Sequence, residues 1–167
     1  MAIKLIAMDV DGVLTDGSFW WGPNGEEWKR FHFADIMGLS RARKAGLKLA
    51  LISGEDSPLV DRLATKMHIS DVEKNCKNKA QALLGLAARH KLTLEEICFM
   101  GDDVNDLPAL ELAGLPAAPA DARPEVRAKC RFVSSAKGGN GAVRELVEMI
   151  LCESTSCSMV DKGQLRQ

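Results

Sequence analysis

The chain has 167 residues, of which 46% are hydrophobic and 27% charged, with a formal net charge of -1 at pH 7. That length and apolar content suit one domain with a sizeable core. The near-zero charge excludes the electrostatic footprint of a protein that tracks nucleic acid or anionic membrane. No apolar run approaches the roughly 20 residues that span a bilayer, and Met1-Ala2-Ile3-Lys4 leads straight into a strand-like segment rather than a secretory signal. A cytoplasmic location is the expectation. Cys76, Cys98, Cys130, Cys152 and Cys157 are scattered, form no C-x-x-C pair and read as buried free thiols.

Short apolar runs alternate with helix-period segments along the chain. Leu5–Met8, Leu47–Ile52, Ile97–Met100, Leu115–Ala118 and Arg131–Val133 predict buried strands. Ile36–Ala45, Pro58–Met67, Lys79–His90, Asp106–Ala113, Pro124–Lys129 and Gly141–Leu151 predict helices. This alternation predicts an α/β fold, a doubly wound parallel sheet with helices on both faces. Ser18–Phe33 interrupts it: the turn signal Gly22-Pro23-Asn24-Gly25 between Phe19–Trp21 and Trp28–Phe33 predicts a β-hairpin after the first strand. The domain is expected to cover residues 1–152, and the polar residues 153–167 to form a mobile tail.

Three apolar runs end in acids or a small hydroxyl. Met8 is followed by Asp9-Val10-Asp11-Gly12, Ile52 by Ser53-Gly54-Glu55, and Met100 by Gly101-Asp102-Asp103. Ligands of open α/β sheets bind beyond the carboxyl ends of the strands, so these residues converge if the strands are neighbours. Carboxylates crowded there repel one another unless a cation neutralises them, and Mg²⁺ suits one or two carboxylates plus a phosphate. Lys79 is the candidate cation for phosphoryl oxygens, helped by the Ser53 hydroxyl and backbone N–H groups. Residues i and i+2 of a strand point the same way, so Asp9 can attack phosphorus while Asp11 serves the leaving oxygen as general acid.

Asp9-Val-Asp11-Gly-Val-Leu-Thr15, then Ser53, Lys79 and Gly101-Asp102-Asp103-Val-Asn-Asp106 resemble, in order, the four motifs of the haloacid-dehalogenase-type (HAD) phosphohydrolases. The resemblance implies Asp9 as nucleophile and Asp11 as general acid/base. It implies Ser53, Gly54 and Lys79 as phosphate binders, and Mg²⁺ held by Asp9, the Asp11 carbonyl and Asp102. Asp103 and Asp106 are implied as supporting acids, with Asp106 holding Lys79. A helix N-cap is the alternative for Ser53, and helix capping for Asp103 and Asp106.

The spacings leave no room for a cap domain. Phe31-His-Phe-Ala-Asp35-Ile-Met-Gly38, Pro119-Ala-Asp121-Ala and Gly138-Gly-Asn-Gly141-Ala-Val-Arg144-Glu145 resemble one capless subgroup. Its members are phosphatases of 3-deoxy-octulosonate 8-phosphate and of nonulosonate (KDN, sialic acid) 9-phosphates. That resemblance implies a homotetramer whose hairpins form a central barrel and whose neighbours complete each site, burying Trp20, Trp21 and Trp28. Octulosonate members tend to carry Arg after the Ser/Thr-Gly; Glu55 here resembles the nonulosonate branch. Arg62 and Lys66 are candidates for the substrate carboxylate, with a solvated helix face as the alternative. His32 is weighed between lining the site and a structural role. Rival functions are a general sugar-phosphate or nucleotide phosphatase, a catalytically inactive oligomerisation domain, and a phospho-accepting receiver-like module. The receiver-like module fits poorly, because its acceptor follows a middle strand.

Overall fold

The computed structural model describes residues 2–163, with side chains through Glu153. The strands are β1 (Leu5–Met8), β2 (Trp20–Trp21), β3 (Glu27–Trp28), β4 (Lys48–Ile52), β5 (Asp71–Glu73), β6 (Ile97–Met100), β7 (Leu115–Ala118) and β8 (Phe132–Val133). The helices are α1 (Phe33–Lys44), α2 (Pro58–Met67), α3 (Lys79–His90), α4 (Leu107–Leu110), α5 (Pro124–Arg127) and α6 (Ala142–Gly163). Six parallel strands lie in the order β5-β4-β1-β6-β7-β8, and β2 and β3 pair antiparallel beside them.

The period-2 alternation of side chains sorts the core into two layers. Ile6, Met8, Leu49, Leu51, Cys98 and Met100 face α1, α2 and α6. Leu5, Ala7, Ala50, Ile52, Ile97 and Phe99 face α3, α4 and α5. All four residues of β1 are fully buried, and each large one contributes about 1.5–3 kcal/mol. β1 therefore sits at the centre, in register with β4 (Met8 opposite Leu51) and β6 (Met8 opposite Met100). The chain leaves β1 toward β4 and β5, then returns to β6 on its other side. That reversal of strand order opens a crevice at the carboxyl ends of β1, β4 and β6.

Several boundaries differ from the sequence reading. The hairpin strands are only two residues long, because the residues after Trp28 are committed elsewhere. Lys29 and Arg30 reach back to Asp11 and Asp16, and the His32 Nδ1 accepts from the Ala34 N–H and caps α1. α1 thus starts at Phe33 rather than Ile36, with His32 as its N-cap. The helix expected over 106–113 splits into a 3₁₀ turn, Val104–Asp106, and the short α4, with Pro108 in its first turn. α6 does not end at Leu151 but continues to Gly163, since no Gly or Pro interrupts it before that residue. The last four residues of the expected tail, and every side chain after Glu153, lie outside the described residues. Of the cysteines, Cys98 is buried, Cys76 and Cys130 are half-buried and Cys152 is exposed, so the buried-thiol expectation holds for Cys98 alone; Cys157 is outside the described side chains.

Helix α6 is tied to α1 by a buried carboxylate. Asp35 accepts hydrogen bonds from the Gly141 and Arg144 N–H groups, both at 3.0 Å, where the α6 N-terminus favours negative charge. At the far edge, His90 does not merely close α3: it and Arg89 both pair with Asp71 at 2.7 Å.

Candidate active site

Asp9 follows β1 directly, and its N–H still donates to the Met100 carbonyl at 2.9 Å, so the sheet ladder fixes its backbone. Its side chain is almost fully buried. One oxygen, Oδ1, accepts from the Val10 N–H at 2.7 Å, and Oδ2 lies 2.8 Å from the Lys79 Nζ. Lys79 opens α3, with Asn78 as N-cap, and its ammonium also meets Asp106 Oδ1 at 2.6 Å. Asp106 is fully buried, and its other oxygen accepts from the Asp102 and Asp103 N–H groups. Asp106 thus orients Lys79 and at the same time shapes the turn that carries Asp102.

The electrostatics follow from this burial. Removal from water, then the charge of Asp106, pushes the Asp9 carboxyl up to about 6, against the pull of Lys79. Burial, then Asp9, Asp106 and Asp103, pushes Asp102 up to about 8. Burial works against the Lys79 charge, but Asp9 and Asp106 outweigh it and hold the ammonium above its ordinary range.

Asp9, Asp102 and Asp106 each offer an oxygen within 4.8 Å of the others. Asp106 is committed to Lys79 and two backbone donors, whereas the buried Oδ1 of Asp102 has no hydrogen-bond partner. An orphaned carboxylate oxygen beside a second carboxylate is what a hard divalent cation would satisfy, so Asp9 and Asp102 fit such an ion and Asp106 does not. Gly12 keeps this space open: it has φ +87°, and a Cβ there would collide with the Asp102 carboxylate. Gly138 packs as tightly on the Gly12 carbonyl, so the Gly138–Gly141 turn braces the loop after β1.

Asp11 lies two residues beyond Asp9, with about a quarter of its side chain exposed. Thr15 Oγ1 accepts from the Gly12 and Gly17 N–H groups and lies 3.4 Å from Asp11 Oδ1. Ser53 is fully buried one residue past β4, and its Oγ accepts from the Glu55 N–H at 3.1 Å. The N-cap of α2 is Ser57, which removes the capping alternative for Ser53. Asp103 does cap: its Oδ1 accepts from the Val104 N–H at 2.7 Å, and its half-exposed carboxylate faces Arg123 at 3.7 Å.

The three residues suggested for substrate divide differently. Glu55 is exposed beside Ser53 at the crevice mouth. Arg62 and Lys66 stand on α2 and line a cavity of about 360 Å³ with Trp28, Phe31, Phe33 and Lys29. None of Asp9, Ser53 and Glu55 lines that cavity; Lys29 stands between it and Asp11. Sequence reasoning missed Lys29 altogether. No local signal sets it apart, because Arg30 stands beside it in the arm Trp28–Phe33.

A family model for haloacid dehalogenase-like hydrolases matches residues 33–114. The 3-deoxy-D-manno-octulosonate 8-phosphate phosphatase KdsC of Escherichia coli is 36% identical over 149 residues, 89% of this chain and 79% of that protein. Its Haemophilus influenzae counterpart is 37% identical over 162 residues, 97% of this chain and 90% of that protein. Among solved structures, the Moraxella catarrhalis 3-deoxy-D-manno-octulosonate 8-phosphate phosphatase, in complex with magnesium, phosphate and KDO, superposes with a TM-score of 0.89. It is 36% identical, and the match covers 97% of this chain and 94% of that one. The cobalt-bound Haemophilus influenzae enzyme gives 0.86 at 38% identity, covering 89% and 87%. Motif order, the six-stranded parallel sheet without a cap and similarity along nearly the whole chain agree: the chain belongs to the haloacid dehalogenase-like hydrolases, among their capless phosphatases.

Proposed function

We propose that this chain hydrolyses the phosphomonoester of a 2-keto-3-deoxy sugar acid, with Mg²⁺, through an aspartyl-phosphate on Asp9. The observation that carries the reading is the buried cluster at the end of the central strand, where Asp9 faces Lys79 and the unpartnered Asp102 oxygen. Asp9, Asp102 and the Asp11 carbonyl would hold Mg²⁺, which would supply positive charge to the phosphoryl oxygens. An Asp9 oxygen attacks phosphorus and the ester P–O bond breaks, while the Asp11 carboxyl gives its proton to the departing sugar oxygen. Asp11 then takes a proton from water, the water oxygen bonds to phosphorus, and the Asp9–phosphorus bond breaks to release phosphate. Lys79, the Ser53 hydroxyl and the Gly54 N–H hold the equatorial oxygens throughout. Asp106 keeps Lys79 aimed, and Asp103 holds the turn after Asp102.

Octulosonate 8-phosphate is the substrate that the similar proteins support. One observation favours a second reading. Glu55 stands exposed at the mouth, where Arg is usual in octulosonate members, and a carboxylate accepts hydrogen bonds from sugar hydroxyls, which favours a nonulosonate 9-phosphate. Arg62 and Lys66 are assigned to the substrate carboxylate in either case. The test is phosphate release with Mg²⁺ from octulosonate 8-phosphate, KDN 9-phosphate, N-acetylneuraminate 9-phosphate, hexose phosphates and nucleotides. One keto-sugar acid is expected to exceed the hexose phosphates by about 100-fold or more in kcat/KM. Even, weak activity across the panel contradicts the substrate class.

We further propose a homotetramer, supported by the hairpin. Trp20 and Trp21 are 70% and 72% exposed, and Phe19, Trp28 and Phe33 are exposed as well, so the hairpin carries aromatics on both faces. Lone chains seldom leave so many large aromatics together in water. Trp20→Glu with Trp21→Glu is expected to convert a tetramer into smaller species in light scattering. An unchanged mass would remove the hairpin from the interface.

A further inference from the structure

Lys29 directly follows the exposed hairpin strand β3, yet its own side chain is only 2% exposed. Its ammonium lies 2.8 Å from Asp11 Oδ1 and 2.9 Å from Asp11 Oδ2, gripping both oxygens of one carboxylate. Behind it stands Glu27, with Oε1 at 3.7 Å. Glu27 in turn accepts from the Ser57 hydroxyl at 3.1 Å, and Ser57 is the buried N-cap of α2. A continuous line of charged and polar contacts thus runs from the first turn of α2, through the hairpin, to Asp11.

Anchoring the hairpin does not require this line. Arg30 already ties the same arm down through Asp16 and the Gly139 carbonyl, on the loops around the site. Asp11, by contrast, has little else to fix its side chain. Its other hydrogen bond among the described residues, accepted from the Thr15 hydroxyl, is long at 3.4 Å. A partly exposed carboxylate so held would swing between rotamers, and a displacement of about 1 Å in a group that moves a proton can cost about 100-fold in rate.

We propose that Lys29, backed by Glu27, is a positioning residue: it holds the Asp11 carboxyl in the one orientation that serves both the leaving oxygen and the incoming water. The proposal rests on Asp11 as the general acid/base. Its signature is selectivity for the leaving group. A sugar alkoxide needs a proton as the P–O bond breaks, whereas 4-nitrophenolate departs as a stable anion. Turnover of the phosphoenzyme needs Asp11 whichever ester formed it.

The test compares kcat/KM for octulosonate or nonulosonate phosphate with that for p-nitrophenyl phosphate, in wild type and Lys29→Met at saturating Mg²⁺. Lys29→Met is expected to lose about 100-fold on the sugar phosphate and less than about 3-fold on the aryl phosphate. It should also show a rapid burst of nitrophenolate, as phosphoenzyme builds up ahead of a slowed water step. Equal losses on both esters, or no loss on either, overturn the proposal. Glu27→Gln alters only the half-exposed carboxylate behind Lys29 and answers the question if Met at 29 prevents folding. It should give the same selectivity at about 3- to 10-fold, and an equal or absent effect on the two esters again overturns the proposal. Failure of the underlying reading looks different: wild type would release no phosphate from any sugar acid, or Asp9→Asn would match it.

Discussion

Asp9→Asn is expected to reduce phosphate release from every ester by about 10⁴-fold or more, while the protein stays folded. The amide keeps the size of the carboxylate and one oxygen for the Val10 N–H, but it cannot form the acyl-phosphate. Its structural cost should be small. The amide gives up the 2.8 Å ion pair with Lys79, but it also removes a buried charge that faces Asp106 and Asp102. Lys79 also keeps Asp106 at 2.6 Å, so no ammonium is stranded. A loss of no more than about 1–2 kcal/mol is expected in urea denaturation. Near-wild-type turnover in this variant would remove Asp9 from the chemistry.

Lys79→Met has the opposite character, with a large effect on stability as well as on rate. The ammonium is 2% exposed and sits between two carboxylates, one of them fully buried. Removing it leaves Asp9 and Asp106 facing each other without a counter-charge. Breaking a buried ion pair from one side costs about 3–5 kcal/mol, and the phosphoryl oxygens lose their fixed cation too. Urea unfolding of the metal-free protein should show that loss, and phosphate release should fall by about 100-fold or more. A stability change below about 1 kcal/mol would mean that the trio is solvated in solution and that Lys79 is not the charge that organises it. Asp106→Asn should destabilise by a smaller amount, since Asp9 still pairs with Lys79 and the amide oxygen still accepts from the turn.

How far each element could be read ahead of the structure depended on how local its cause was. Leu5–Met8 and Ile97–Met100 are fully buried strands, and α2 and α3 are amphipathic helices with Pro58, Ser57 and Asn78 marking their starts. Their signals lie within a few residues, and their limits match the sequence reading. Asp9, Ser53 and Asp102 stand at the ends of three neighbouring strands, which the alternation of elements implied, and Lys79 reaches Asp9 from the start of α3. Lys29 was invisible for the converse reason. Nothing near it marks a buried cation, because its burial is imposed by Asp11, 18 residues earlier, and by α2. Asp35 was quoted only as part of a motif. Its task of receiving the α6 N-terminus depends on residues 106 and 109 positions away. Arg62 and Lys66 were candidates for the substrate carboxylate on the helix after Ser53, and within one chain they line the cavity on the far side of Lys29 from Asp11.

The most direct test of the account is to trap the phosphoenzyme. The protein is mixed with Mg²⁺ and excess sugar acid phosphate, quenched in acid during turnover and reduced with borohydride, which converts an acyl-phosphate to an alcohol. The peptide spanning Lys4–Asp16 is then sequenced by mass spectrometry. The account predicts homoserine in place of Asp9, with Asp11 intact, and no reduction in Asp9→Asn. Full turnover with no reduced residue, or with reduction at another carboxylate, would contradict it.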